Sequence, residues 1–171
     1  NSWNKTWLED YKSNIIKDST KIRYQDFYRR YIKKKLGSRK LSEIKPMILQ
    51  KFFNEMAKED YSTKTIKDTY NIIYNMFKIA LQNELVLRNP CEGVTLPKTK
   101  AKEKRVLTVE EQKEVLKYSK GFLCEQLIRV ALGTGMRAGE LLGLKWKDID
   151  FENREINIDK TLVYIKDYEN N

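Results

Sequence analysis

Apolar positions recur every three or four residues through the first 83 positions of the chain. Trp3, Trp7, Leu8 and Tyr11 fall at i, i+4, i+5 and i+8 and predict a short amphipathic helix. A second helix, N-capped by Asp18 or Ser19, runs to about Leu36 with Ile22, Phe27, Tyr31 and Ile32 inward, and Gly37 stops it. Pro46 suits the first turn of a third helix, ending near Lys58, whose inner positions are Met47, Leu49, Phe52, Phe53 and Met56. Ser62 or Thr63 caps the fourth and longest helix, to about Asn83, with a stripe of Ile66, Tyr70, Ile73, Phe77, Ala80 and Leu81. Four such helices in succession predict a small bundle.

The pattern lapses at Asn89-Pro90-Cys91. From Leu96 to Arg105 there is no apolar period, and lysines alternate behind Pro97, which predicts an extended linker. Thr108-Val-Glu-Glu111 then reads as a capping box opening a helix to Tyr118. The next helix, Phe122 to Leu132, is apolar on most sides and is expected to be buried. A Gly133-Thr-Gly135 turn precedes a short helix from Arg137 to Leu144, and Asp148-Ile-Asp150 reads as a turn. Period two at Glu155–Ile158 and Thr161–Ile165 predicts two strands, with Asp167–Asn171 in the bend of a hairpin. The predicted class is therefore mainly α: a four-helix bundle, a linker, then the α+β start of another domain with three helices and a β-hairpin. The predicted boundaries are 1–95, 96–106 and 107–171.

Charge sharpens that division. Residues 1–97 carry 19 basic and 11 acidic side chains, residues 98–107 carry 5 and 1, and residues 108–171 carry 10 and 12. The total is +10, and the positive field belongs to the first domain and the strap behind it. That asymmetry points to a polyanion partner. No apolar run approaches the roughly 20 residues a membrane span needs, and the two cysteines, Cys91 and Cys124, lack metal or redox spacing. A cytoplasmic protein with reduced thiols is expected. Histidine is absent, which excludes a Ser-His triad, a His general base and a His-based zinc site. The first residue is Asn1, not Met, so the chain is expected to be a processed or excised piece.

The richest candidate chemistry lies between Gly133 and Asp150. Four of the seven glycines fall between Gly133 and Gly143, and Arg137 stands behind the double-glycine turn at a helix start. A guanidinium fork there can donate two parallel hydrogen bonds to a phosphate, with the helix end adding backbone N–H groups. The run Thr134-Gly-Met-Arg137, Glu140-Leu, Leu144, Trp146 and Asp148-Ile-Asp150 resembles the tyrosine recombinase (phage integrase) family, whose first catalytic arginine sits in T-G-[ML]-R-x-x-E-L-x-x-L-x-W-x-D-[IV]-D. Lys33-Lys-Lys-Leu-Gly37, Leu41-Ser-Glu-Ile44, Asn89-Pro90 and Leu96-Pro97-Lys98 extend the resemblance over nearly the whole chain. The flavour is that of integrases from Gram-positive phages and integrative elements.

The resemblance implies a SAM-like core-binding domain followed by the front of a catalytic domain. It implies site-specific DNA recombination in which a tyrosine attacks a phosphodiester, forms a 3′-phosphotyrosyl link and releases a 5′-hydroxyl, without metal or ATP. Arg137 maps onto the first catalytic arginine and Glu140 onto a recurring acidic position. The family also uses a hairpin lysine, a His-x-x-Arg segment and a C-terminal tyrosine. Lys160 lies at a plausible distance after Arg137 for the lysine, although the long hairpin implied by Leu162–Asn171 points to a residue beyond Asn171, and the other groups have no counterpart. The 171-residue piece is thus expected to bind DNA without cleaving it. The candidate DNA contacts are Lys64, Thr65, Lys67 and Asn71 on the fourth helix, and Lys98, Lys100, Lys102, Lys104 and Arg105 along the strap. Double-stranded attachment sites are the implied partner. The complete protein is expected as a tetramer on DNA and the piece as a monomer. The alternative is a natural stand-alone DNA-binding or regulatory protein derived from such a recombinase.

Overall fold

The computed structural model describes residues 2–99 and 105–164. Lys100, Lys102, Lys104 and Ile165–Asn171 lie outside the described residues. The chain divides into two compact units, residues 1–102 and 103–171.

The first unit is helical. α1 (Ser2–Asp10) and α2 (Asp18–Phe27) lead into a π-helical turn, Tyr28–Ile32, and the rod ends as α3 (Lys33–Leu36). α4 (Pro46–Lys58) and α5 (Thr63–Gln82) complete the bundle. Local chemistry sets the starts. Pro46 holds the first position of α4, where its missing N–H costs nothing, and the Ser62 hydroxyl accepts from Thr65 N at 3.1 Å. Gly37 ends α3 with right-handed dihedrals, φ −66° and ψ −20°, so the stop does not draw on a left-handed glycine.

The core is the junction of the helical stripes: Trp7, Ile32, Leu49, Phe53, Ile66, Ile73 and Phe77 are buried together. Trp3 Nε1 donates to Met76 O at 3.2 Å and Tyr11 to Asn83 Oδ1 at 2.8 Å, which binds α1 along α5. Several expected inner positions are not in it: Met47 is 67% exposed, Leu81 and Tyr11 are each 37% exposed, and Ile22 is outside the cluster.

The second unit holds α6 (Val109–Tyr118), α7 (Glu125–Thr134) and α8 (Ala138–Gly143), then a 3₁₀ turn at Trp146–Asp148. The Thr108 capping box forms in both directions: its hydroxyl accepts from Glu111 N at 3.2 Å, and its N–H donates to Glu111 Oε2 at 2.9 Å. Three expectations are corrected. The apolar helix is not buried: among the described residues every buried hydrophobic side chain belongs to the first unit, and Leu123 just before α7 is fully exposed. α7 packs mainly on α6 and α8, and Leu127, Val130 and Leu132 on its other sides stay exposed among the described residues. The hairpin keeps the first predicted strand, shortened to Glu155–Ile156, but gives it another mate. β1 (Ile149–Asp150) pairs antiparallel with β2 (Glu155–Ile156), in the register Ile149↔Ile156 and Asp150↔Glu155. The Asp150 carboxylate closes the bend by accepting from Glu152 N and Asn153 N, each at 2.9 Å. Asp148–Asp150 is thus the end of a 3₁₀ turn running into a strand, and residues 161–164 form no strand.

Candidate nucleic-acid interface and phosphate site

Arg137 is positioned by the turn in front of it. α7 ends on Gly135, whose φ of 68° is left-handed and whose N–H reaches Ala131 O at 3.0 Å. The chain reverses there, and Arg137 becomes the extended N-cap of α8. Glu140, one turn in, is the partner. Its carboxylate accepts from Arg137 N at 2.9 Å and from the guanidinium at 3.0 Å. The Arg137 N–H and then its guanidinium hold the Glu140 carboxyl below its usual range. The Glu140 side chain is largely covered and the Arg137 side chain is 85% exposed. The site therefore presents a guanidinium braced on one edge, with its other donors facing outward.

Lys160 is placed differently. Its ammonium donates to Asp148 Oδ2 at 2.6 Å and to Asp159 at 3.3 Å. Asp148 also accepts from Lys145 N at 2.8 Å, and its side chain is only 8% exposed. The Lys160 hydrogen bond is the main cause of a lowered Asp148 carboxyl pKa, and Asp148 in turn raises that of Lys160.

On the first unit, Lys64, Lys67 and Asn71 lie exposed along α5, and Thr65 is half-buried. Lys64 is paired with Asp68 at 3.3 Å, and Arg23 from α2 shares that carboxylate. Lys98 is exposed on a segment that the bundle holds down. The Gln50 amide donates to Thr95 O at 2.8 Å and accepts from Thr95 N at 2.9 Å, while Thr63 and Thr99 pair through their hydroxyls at 2.6 Å. The head of the expected linker is thus stitched to α4 and to the start of α5, and the Thr63 hydroxyl is occupied. In the second unit Arg105 pairs with Glu111.

Sequence reasoning missed Gln50, Thr95 and Thr99, whose pairing across 45 and 36 positions leaves no local pattern. It also missed Asp148 as a partner and the i, i+4 glycines Gly139 and Gly143 as a contact face, although that spacing was a readable signal. No group of three or more His, Cys, Asp or Glu among the described residues is arranged to hold a metal, and no described helix is long and apolar enough to cross a membrane.

Comparison with known proteins bears on the same residues. The phage integrase N-terminal SAM-like domain matches residues 1–57, and the phage integrase family matches residues 99–168, across the Arg137 turn. The chain belongs to the phage integrase, or tyrosine recombinase, family. Among similar recombinases, the tyrosine recombinase XerC-like protein of Caldanaerobacter subterraneus subsp. tengcongensis is 35% identical over 94% of this chain and 43% of its own length. The transposase from transposon Tn916 of Enterococcus faecalis is 33% identical over 77% of the chain and 34% of its own length. The chain therefore spans less than half the length of these two relatives. In fold, the lambda integrase dimer bound to a core site superposes with a TM-score of 0.77, 23% identity, and coverage of 88% of this chain and 55% of that one. The Tn1549 transposon integrase in complex with circular intermediate DNA gives 0.73, 25%, 94% and 53%.

Proposed function

We propose that the chain is the DNA-holding part of a tyrosine recombinase acting on double-stranded attachment sites in the cytoplasm, and that Arg137 is its ligand for the scissile phosphate. The observation that carries this reading is the Arg137 arrangement: an exposed guanidinium at a helix start, held by a covered glutamate that accepts one hydrogen bond from it and one from the Arg137 backbone N–H. In the complete enzyme a tyrosine oxygen attacks phosphorus, the P–O5′ bond breaks and the 5′-oxygen leaves as a hydroxyl. Charge shifts onto the non-bridging oxygens, and a prefixed guanidinium stabilises it without reorganising. Glu140 orients the fork and cancels none of its outward donors. Lys64, Lys67, Lys98, Lys100, Lys102, Lys104 and Arg105 contact phosphates, and Thr65 and Asn71 add polar contacts from α5. These residues set register more than base choice. The complete protein assembles as a tetramer on two duplexes.

Two measurements test the reading. Fluorescence anisotropy with duplex DNA should show affinity falling on the order of 1,000-fold between 50 and 200 mM salt, as about six phosphate contacts require. Weak, salt-independent binding would remove the DNA-holding role. In the complete recombinase, Arg137→Ala should lower covalent phosphotyrosine formation on the order of 100- to 1,000-fold while duplex affinity changes little. A loss of binding equal to the loss of cleavage would make Arg137 a structural residue instead.

A further inference from the structure

The segment that follows β2 crosses α8 at unusually close range. Leu162 N donates to Gly139 O at 2.8 Å. A Cβ added at Gly139 would stand 2.6 Å from Thr161 Cγ2 and 2.7 Å from Leu162 O; one at Gly143 would stand 3.3 Å from Leu162 N. Glycines four apart share one helix face, so α8 offers bare backbone there and the 160–162 segment fills it. Just upstream, Asn157 N donates to Asp148 O at 2.8 Å, and Lys160 reaches back to the Asp148 carboxylate. The same stretch is thus fastened at 157, 160 and 162, and the last fastening is on the helix that Arg137 caps.

We propose that Lys160 is a positioning residue: its ion pair with Asp148 locks residues 157–162 across the glycine face of α8 and so fixes the orientation of Arg137. The proposal rests on the reading of Arg137 as a phosphate ligand. It gives Lys160 a role different from that of the hairpin catalytic lysine, for which the family resemblance made it only a candidate. The geometry carries the choice. An ammonium shared by two carboxylates offers little net charge to a phosphate. Withdrawing it would also leave the covered Asp148 carboxylate without its cation, which is costly. A residue serving as proton donor at the reacting phosphate needs a free ammonium, and a latch needs a partnered one.

Amide exchange and side-chain NMR on the 171-residue chain test the latch without any DNA chemistry. Lys160→Met and Asp148→Asn should each speed exchange at the Leu162 amide roughly three- to tenfold and shift the Arg137 Nε resonance, with the double variant no worse than either single one. Lys160→Arg should restore both signals, because a guanidinium also pairs with Asp148. In the complete recombinase, Lys160→Arg should keep phosphotyrosine formation within a few-fold of the parent, since a latch needs only the charge. A proton donor would be lost, because arginine does not deprotonate. Unchanged Leu162 exchange in Lys160→Met overturns the latch. Loss of cleavage in Lys160→Arg with Leu162 still protected overturns it in favour of direct catalysis. Full cleavage by Arg137→Ala would instead overturn the reading of Arg137 and with it the functional half of the proposal, leaving the latch to be decided by exchange alone.

Discussion

Replacing Gly139 by alanine separates helix propensity from packing at the candidate site. In an open helical position, glycine to alanine stabilises by up to about 1 kcal/mol. Gly133, inside α7, is such a position: nothing lies within 4 Å of an added Cβ. At Gly139 the same methyl meets backbone. Ordinary contact begins near 3.4 Å, and Leu162 O would be 2.7 Å away, so the 160–162 segment must retreat by roughly 0.7 Å. Overpacking of that kind costs about 1–3 kcal/mol. Straining the Leu162 N to Gly139 O bond adds up to about 1 kcal/mol. Set against the propensity gain, the net is a loss of about 1–3 kcal/mol. Gly143, whose nearest backbone atom would be 3.3 Å away, should fall near zero. Native-state amide exchange reads this directly. Leu162 should exchange roughly 5- to 150-fold faster in Gly139→Ala, hardly change in Gly143→Ala, and show no loss of protection in Gly133→Ala. Protection in Gly139→Ala equal to that in Gly133→Ala would mean that residues 160–162 do not lie on α8, and the reasoning about Arg137 positioning would fail with it.

Other consequences are as direct. Glu125, Glu140, Asp148 and Asp150 in the second unit, and Glu55 in the first, have carboxyl pKa values held below the ordinary 4.5 and 3.8. A depressed folded-state pKa contributes stability above the unfolded value and loses it as pH falls through the folded one. NMR signals from residues 105–164 should therefore collapse before those from 2–99 as pH drops below about 4; simultaneous loss would contradict this. Cys91 is fully buried and its thiol is pushed up to about 12, while Cys124 is exposed. A thiol reagent at pH 8 should label one cysteine in the native chain and the second only in denaturant; two fast native reactions would show that Cys91 is not enclosed. Phe53→Ala, at a position with no exposure, should cost the first unit about 3–5 kcal/mol in urea unfolding. A loss below 1 kcal/mol would place Phe53 outside the core.

The sequence alone determined the elements whose causes are local. The 3.6-residue stripes, Pro46, the Ser62 cap and the Thr108–Glu111 box each act within one or two turns, so the four-helix first unit and the start of α6 were legible from spacing. Arg137 was legible for the same reason: a left-handed glycine, an N-cap and a glutamate three residues on are all local. Tertiary structure decided what depends on a partner distant in sequence. Period two marks a segment able to pair but not its mate, so β2 took Ile149–Asp150, and residues 160–162 took the glycine face of α8. Burial of an apolar helix depends on the layer opposite it, and among the described residues α7 is left largely exposed. An ammonium is set by whichever carboxylate the fold brings near, and for Lys160 that is Asp148, twelve residues back.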